Sequence, residues 1–338
     1  MYIENNITRK QLSTWLVSML ILIALMIVIG GLTRLTDSGL SITKWELFSG
    51  ILPPLNEKMW LKYFEEYKLI PEFKIQNYSM TLNDFKFIFW WEWGHRFLGR
   101  LIGISFLIPL IYFTLKVGFK KIINLYFIFL LICFQGFIGW YMVSSGLIDN
   151  VDVSHFRLSL HLLIAFFMLS LIFWNFLNLN IKLNNENKLN FLFPCVLLFL
   201  IFFQIIIGAF VSGMDAGLIY NSWPLMGDSY FPDDNKIINL FSLKALSDAS
   251  LVQFLHRNLA YLILFFYIFI LFKIYSKKIK NSFTAINIVG LFLLIQIILG
   301  ILTLVNGAAI LIASMHQVSS IFLIIATIYL LYINKKTN

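Results

Sequence analysis

Long apolar runs recur along the chain and are separated by shorter polar stretches. The runs are roughly 20 residues long, which is the length that a helix needs to cross the apolar part of a bilayer. They lack the alternation of apolar and polar residues over about 10 positions that marks a transmembrane β-strand. The pattern therefore predicts eight membrane-spanning helices, at about 12–32, 97–115, 122–143, 156–178, 191–211, 252–272, 284–305 and 309–333.

Composition supports a membrane protein and excludes two other classes. Hydrophobic residues make up 59% of the 338 positions and charged residues only 13%, whereas ordinary soluble domains have about 45–50% and about 25%. Disordered chains show the opposite balance, with low hydrophobicity and high charge. The expected fold class is therefore an all-α polytopic membrane protein. Its two cysteines, Cys133 and Cys195, lie in different apolar runs, so no disulfide framework is expected.

The net charge of +9 indicates topology rather than binding to nucleic acid. The two termini and the connections after spans 2, 4 and 6 hold 13 of the 26 basic residues but only two acids, Glu4 and Glu186. Because cytoplasmic loops carry an excess of lysine and arginine, both termini are expected in the cytoplasm and the loops at about 33–94 and 212–251 outside.

The first run exceeds the roughly 7–15 residues of a signal-peptide core, so it is interpreted as an uncleaved helix. With no transit peptide before it, we expect a bacterial cytoplasmic (inner) membrane.

The chain contains an internal repeat. Four pairs of matching motifs occur in the same order, at shifts of 178, 161, 161 and 155 residues: Gly30–Leu40 with Gly208–Leu218, His95-Arg96 with His256-Arg257, Gln135 and Gly139 with Gln296 and Gly300, and His161 with His316. Repeats of four spans insert in the same direction, so an axis along the membrane normal is expected to relate them. We therefore predict two pseudo-symmetric four-helix bundles, residues 1–180 and 181–338.

Four of the five histidines belong to this repeat and are expected near the outer ends of even-numbered spans: His95, His161, His256 and His316. Ionisable side chains are costly inside a membrane, so each is a candidate functional residue, and the repetition disfavours a role in packing alone. Two imidazoles from different helices provide the axial ligands of a haem iron, whereas a zinc site needs three or four ligands. We therefore predict two bis-histidine haem sites, His95 with His161 and His256 with His316. The fifth histidine, His155, has no counterpart and is predicted to lie in a loop.

Three arginines lie beside these histidines at the membrane boundary: Arg96, Arg100 and Arg257. Arginine binds carboxylates through two parallel hydrogen bonds, which suits haem propionates. Equally, a long basic side chain at a helix end extends to the membrane surface while its aliphatic stem stays in the apolar region. Both interpretations remain open at this point.

One difference between the two halves falls beside a predicted site. Glu92 precedes His95 by three residues, whereas Gln253 precedes His256 by the same distance. A carboxyl group in an apolar pocket can exchange protons near neutral pH. We therefore predict proton chemistry at the first site and electron transfer alone at the second. The alternative is that Glu92 is a solvated acid at the end of a loop.

Two further repeated features receive structural interpretations. Asp37-Ser-Gly and Asp215-Ala-Gly are predicted turns after spans 1 and 5, in which glycine is available for a positive φ. Gln135 and Gln296 are expected to form hydrogen bonds between helices.

The sequence resembles the haem A synthase family from about residue 12 to residue 330. The resemblance is carried by long motifs: Gly31-Leu-Thr-Arg-Leu-Thr-Asp-Ser-Gly-Leu-Ser, Glu92-Trp-Gly-His-Arg, Gln135-Gly-Phe-Ile-Gly-Trp-Tyr-Met-Val-Ser-Ser-Gly-Leu, Arg157-Leu-Ser-Leu-His-Leu, Gly213-Met-Asp-Ala-Gly and His256-Arg257. No cysteine pair occurs in the first outer loop, so the chain looks like the alphaproteobacterial and mitochondrial branch. A mechanism that depends on such a pair does not carry over.

The resemblance implies an oxidoreductase that converts a ring methyl of haem O to a formyl group and so makes haem A for terminal oxidases. Haem O would occupy the site of His95 and His161, and haem b the site of His256 and His316. Glu92 would accept protons or stabilise the oxidised intermediate. Expected partners are haem O, membrane lipid, haem O synthase and oxidase assembly factors; a homo-oligomer is compatible with the sequence, and no nucleic acid is expected.

Two other function classes compete with this one. A dihaem cytochrome b that passes electrons from quinol to an outer acceptor explains the four histidines equally well, but not the difference between Glu92 and Gln253. A secondary transporter built from parallel repeats would need broken helices near the middle of the membrane, and the sequence shows no clear sign of them.

Overall fold

The computed structural model describes residues 5–45, 49–147, 151–183 and 187–335, so Glu4 and Glu186 lie outside the described part. Ten α-helices occur in the described ranges: α1 (Asn6–Leu35), α2 (Glu57–Tyr67), α3 (Pro71–Ile75), α4 (Leu82–Val117), α5 (Phe119–Val143), α6 (His155–Asn180), α7 (Leu192–Gly213), α8 (Ala249–Ser276), α9 (Phe283–Val305) and α10 (Ile310–Ile333). All of them except α2 and α3 belong to eight segments that are long and apolar enough to cross a membrane. The predicted all-helical polytopic class is confirmed.

Helix α4 begins well before the predicted span, at Leu82 rather than near residue 97. Its start is fixed by a capping box, in which the Asp84 amide donates to Thr81 Oγ1 (3.3 Å) and the Thr81 amide donates to Asp84 Oδ2 (3.0 Å). The first turns of α4 are amphipathic, so a search for continuous apolar runs misses them. His95 is consequently the fourteenth residue of its helix, counted from Leu82.

The predicted outer loop at 33–94 contains a folded apolar layer. Helices α2 and α3 bury aromatic side chains against the first turns of α4, and the cluster comprises Leu40, Ile42, Phe64, Tyr67, Ile70, Phe85, Ile88 and Phe89. Helix α2 is capped by Asn56, whose side chain accepts from the Met59 amide (2.9 Å), and α3 starts at Pro71. This layer holds the segment after α1 against α4, beside the position of His95.

The chain turns sharply after α1 and after α7, as predicted. The positive φ angles lie at Asp37 (47°) and Asp215 (49°), not at the glycines two residues later, which corrects the expectation from the sequence. Aspartate adopts the left-handed conformation more readily than most residues with a side chain. At the first turn Arg34 also binds Asp37, with 2.6 Å between Nη1 and Oδ1.

The helices form two compact units. One comprises Ile21–Ala165, and the other combines Met1–Leu20 with Phe166–Asn338. The first unit contains His95 and His161, and the second contains His256 and His316. The division of the chain into the repeat-related halves 1–180 and 181–338 stays a prediction.

Candidate functional site

His95 and His161 face each other within the Ile21–Ala165 unit. They project from α4 and α6, and their ring centroids lie 6.5 Å apart with an angle of 48° between the ring planes. A metal ion held between two imidazoles by bonds of about 2.0–2.1 Å would place the ring centres roughly 6 Å apart. The separation of the two rings therefore suits a single metal ion between them.

Each of the four repeat-related histidines packs against a glycine on the preceding membrane-spanning helix. A Cβ atom added at the glycine would lie very close to the imidazole Cε1 in every case: 2.9 Å for Gly30 and His95, 3.1 Å for Gly139 and His161, 3.0 Å for Gly208 and His256, and 3.0 Å for Gly300 and His316. The absence of a side chain thus makes room for each ring. We call these positions the glycine seats. They occur in the repeated motifs of the sequence, but their role becomes visible only when the neighbouring helix is in place.

All four imidazoles carry a buried Nδ1 atom with no hydrogen-bond partner in the described part of the chain. Buried polar atoms are nearly always satisfied, so four exceptions at equivalent positions set these imidazoles apart from ordinary packing residues. Among the described residues there is no group of three or more His, Cys, Asp and Glu side chains that could hold a metal ion. A zinc site would need such a group. The donor set of two imidazoles per site fits haem iron instead.

Glu92 is almost fully buried and binds four hydrogen-bond donors. Its Oε2 accepts from Ser41 Oγ and from the Ile42 amide, both at 2.7 Å. Its Oε1 accepts from Arg96 Nε (3.0 Å) and Nη2 (2.6 Å), and Arg96 also donates to the Ile42 carbonyl (2.9 Å). Glu92 is therefore not a solvated acid at the end of a loop, because it fastens α4 to the segment after α1.

Gln253 occupies the corresponding place on α8 with the opposite hydrogen-bond polarity. Its Nε2 donates to the carbonyls of Ala216 (2.9 Å) and Tyr220 (3.1 Å), while its Oε1 accepts from Arg257 (3.2 Å). A carboxylate has no donor, so only the amide can bind the two carbonyls that follow α7. The choice between Glu and Gln thus matches the groups that the connecting segment presents. From the sequence alone, the difference between Glu92 and Gln253 predicts a difference in chemistry but not this difference in hydrogen-bond partners.

A family model described as COX15-CtaA, cytochrome oxidase assembly protein, matches residues 13–328. The haem A synthase of Pelagibacter ubique (strain HTCC1062) is 51% identical, over 99% of this chain and 99% of its own. The haem A synthases of Rickettsia bellii (strain OSU 85-389) and Flavobacterium johnsoniae are each 42% identical, covering 95% and 96% of this chain and 97% of theirs. This chain belongs to the haem A synthase family. The resemblance seen in the sequence motifs is confirmed.

In this member of the haem A synthase family, glutamines reach toward three of the histidines. Gln135 Nε2 donates to the His161 carbonyl (2.9 Å), so it forms the helix-to-helix hydrogen bond that was predicted. Gln204 Nε2 lies 3.2 Å from His256 Nε2 and also donates to the His256 carbonyl (3.0 Å). Gln204 was not predicted, because the residue 178 positions earlier is Met26 and the repeat gives no signal there.

Gln296, on α9, occupies the equivalent position to Gln135 in the other unit. Its Nε2 lies 3.4 Å from His316 Nε2, and its Oε1 accepts a hydrogen bond from Ser319. The amide therefore contacts the ring of the histidine rather than its carbonyl. The predicted interhelical role holds here too, with a different group as partner.

Two of the predicted arginines donate hydrogen bonds to backbone carbonyls of the segments that connect the membrane-spanning helices. Arg96 binds Glu92 and Ile42 as described, and Arg257 donates to the carbonyls of Ser222 (3.0 Å), Leu225 (3.1 Å) and Tyr220 (2.9 Å). Both side chains therefore hold the segment that follows the preceding span.

Arg100 lies on the side of α4 that carries Arg96. It lines a cleft together with Lys44, Trp93 and Arg96. Five residues separate it from His95, which places the two about 140° apart around the helix. The structure therefore brings Arg100 to the Arg96 side of α4 rather than to the face that carries His95.

His155 begins α6, which corrects its predicted place in a loop. The helix starts there because the Ser154 carbonyl accepts the first helical hydrogen bond, from the Leu158 amide (2.9 Å), and serine is a favoured residue at a helix N-terminus. The His155 ring lies against the neighbouring Phe156, with centroids 4.2 Å apart. It is not among the histidines that pack against a glycine of the described part of the chain.

Proposed function

We propose that this chain oxidises a ring methyl group of haem O to a formyl group and so produces haem A. One observation carries the function: the buried imidazoles of His95 and His161 face each other at 6.5 Å, and the buried carboxylate of Glu92 lies three residues before His95 on the same helix. The family match over residues 13–328 and the names of the relatives support the same substrate.

Haem O, as substrate, binds between His95 and His161 in this proposal. Haem b binds between His256 and His316, and when bound it supplies a redox centre for single electrons. The glycine seats keep each imidazole against its neighbouring helix, which fixes the direction of the ring before a ligand arrives. Gln204 and Gln296 supply amide groups next to His256 and His316 that the first site lacks at His95.

Glu92 accepts protons that the reaction releases or stabilises the positive charge that develops in it. With water as the source of oxygen, two hydroxylations and loss of one water convert the methyl group to a formyl group, consume one water overall, and release four protons and four electrons, the electrons passing to an acceptor outside this chain. Glu92 lies three residues before His95 on α4, and its carboxylate forms an ion pair with Arg96. That ion pair and the hydrogen bonds from Ser41 and Ile42 hold the negative charge in place. A fixed charge close to a reacting group stabilises opposite charge that develops in a transition state.

The charge distribution supports a location in the bacterial cytoplasmic membrane with both termini in the cytoplasm. In that orientation the N-terminal ends of α4, α6, α8 and α10 lie on the periplasmic side, and so do the two haem sites. The enzyme would receive haem O from a haem O synthase and deliver haem A to oxidase assembly factors.

Co-expression with a haem O synthase tests the function, in a bacterial host that makes haem b and haem O but no haem A. Haems extracted from the membranes are separated by chromatography. We expect haem A with the wild-type chain, none with His161→Ala, and wild-type levels with the matched control His155→Ala. Binding of haem b and haem O without any haem A would contradict the proposal and would favour an electron-carrying cytochrome b.

A further inference from the structure

The connection between α7 and α8 carries a short apolar segment that the haem sites do not use. It runs from Lys236 to Lys244 with the sequence Lys-Ile-Ile-Asn-Leu-Phe-Ser-Leu-Lys, and we call it the 236–244 segment. It forms one 3-10 helix at Ile237–Phe241 and starts a second at Leu243–Ser247. Both are too short to be stable without contacts on one side.

Four large apolar side chains of this segment are mostly exposed: Ile237 (64%), Ile238 (70%), Phe241 (84%) and Leu243 (89%). Isolated apolar residues on a surface are ordinary, but a contiguous group marks a surface that meets another apolar phase. The residues directly after these side chains pack into the protein instead. Ala245 is buried, and Leu246 packs against the cluster of Ile207, Phe210 and Val252. The segment is therefore anchored to α7 and α8 on one side and presents its apolar side chains on the other.

The charged side chains within the segment are both basic. Lys236 and Lys244 stand at its two ends, are exposed, and form no ion pair within the ranges that the structure describes. The acids that flank the segment, Asp233, Asp234 and Asp248, keep their negative charge. Asp234 accepts from Ser250 (2.6 Å), and Asp248 caps α8 by accepting from the Leu251 amide (3.0 Å). The segment itself therefore places two positive charges and no negative one beside its apolar side chains.

The position of the segment in the chain favours a lipid surface over a protein. Helix α8 begins at Ala249, five residues after Lys244, and is long and apolar enough to cross a membrane. Basic residues flanking apolar ones are typical of segments that lie in the membrane interface. Four side chains are also far fewer than the roughly 20–30 residues that each partner contributes to a stable protein interface.

We propose that the 236–244 segment inserts Ile237, Ile238, Phe241 and Leu243 into the leaflet at the N-terminal end of α8, with Lys236 and Lys244 at the phosphates of anionic lipids. The segment then ties the α7–α8 connection to the membrane surface.

A nitroxide label at Leu243→Cys tests this placement. The full chain also carries Cys133→Ala and Cys195→Ala, and it is reconstituted in nanodiscs of phosphatidylcholine with phosphatidylglycerol. Power-saturation electron paramagnetic resonance compares collisions of the label with oxygen, which concentrates in lipid, and with a water-soluble nickel chelate. We expect oxygen to dominate at position 243 and the chelate to dominate at the control label Asp228→Cys, an exposed position in the same connection.

The other outcomes overturn the placement. Dominance of the nickel chelate at position 243 would put the segment in water, and low collision rates with both reagents would show that protein covers it. A second comparison tests the lysines. Lys236→Gln together with Lys244→Gln should lower the ratio of oxygen to nickel collisions in discs with phosphatidylglycerol but leave it unchanged in discs of phosphatidylcholine alone. An equal effect in both kinds of disc would contradict the role assigned to anionic lipid.

Discussion

At the residue scale, Glu92 combines an observed structural role with a proposed chemical one. It is 3% exposed and joins the segment after α1 to α4 through Ser41, Ile42 and Arg96. The sequence predicted the importance of Glu92 from its counterpart Gln253. It could not predict that one connecting segment offers donors to Glu92 while the other offers carbonyl acceptors to Gln253. These backbone groups come close to the two side chains only in the folded chain.

Glu92→Gln is expected to reduce haem A formation by about 100-fold or more while both haems still bind. The variant removes the negative charge, and its amide N–H faces the Ile42 amide donor. Haem A formation is measured by chromatography and haem occupancy by absorbance of the purified protein. Ser41→Ala is the matched control, because it removes one hydrogen bond and keeps the charge, so a loss below about tenfold is expected. Full activity of Glu92→Gln would rule out the proposed role.

Glu72 is a second buried carboxyl group, in the apolar layer outside the membrane-spanning helices. It is 3% exposed, its Oε2 has no hydrogen-bond partner among the described residues, and its side chain binds the hydroxyl of Tyr67. Burial, followed by the negative charge of Glu92 and smaller contributions from Asp37 and Asp152, raises the pKa of Glu72 to about 8. Glu72 therefore holds a proton in the folded protein at neutral pH.

Stability should therefore fall as pH rises from about 4.5 to about 8. In that window the folded state keeps the Glu72 proton and the unfolded state loses it, so the free energy of unfolding decreases by at most about 1.4 kcal/mol per pH unit. Thermal unfolding in detergent across this range measures the slope. Glu72→Gln should flatten it, whereas the exposed control Glu65→Gln should not. An unchanged slope in Glu72→Gln would show that Glu72 is already ionised in the folded protein.

At the scale of elements, the eight membrane-spanning helices follow from the length of the apolar runs alone. The start of α4 and the helices α2 and α3 do not, because amphipathic helices in an outer layer lack continuous apolar runs. The four histidines could be paired from the repeat, since matched spacing survives in the sequence. The four glycines of the seats stand out in the sequence as repeated residues. Their role depends on the imidazole that packs where a side chain would otherwise lie, and only the folded structure shows that contact.

The glycine seats predict a site-specific loss of ligand. Gly139→Ala should displace the His161 ring and weaken binding at the first site by at least about tenfold, whereas Gly300→Ala should do the same to haem b at His316. Gly136→Ala is the matched control, since a Cβ there meets nothing within 4 Å. Absorbance titration with each haem measures the affinities.

Alanine is the better helix former, so the loss of ligand should not be accompanied by a loss of helix. Circular dichroism of the same samples checks this. Equal weakening by Gly136→Ala and Gly139→Ala would mean that general packing of α5, rather than contact with the imidazole, controls the site.

At the scale of the whole molecule, the central claim is that two histidine pairs hold two different haems. The family match covers the chain from residue 13 to 328, so both pairs lie within the part that the relatives share. Each compact unit contains one pair, with the same glycine seats and unsatisfied Nδ1 atoms. The two sites differ in the carboxylate of Glu92 and the amide of Gln204, and the proposed function places substrate at the first site and haem b at the second.

The most direct test is the haem content of purified protein made together with a haem O synthase. Haems are extracted from the wild-type chain, His95→Ala and His256→Ala, and are identified and counted by chromatography with mass spectrometry. The wild-type chain should contain haem b together with haem O or haem A. His95→Ala should lose haem O and haem A but keep haem b, and His256→Ala should lose haem b alone. The reverse assignment, or equal loss of all haems from two variants that remain helical, would contradict the claim of two distinct sites.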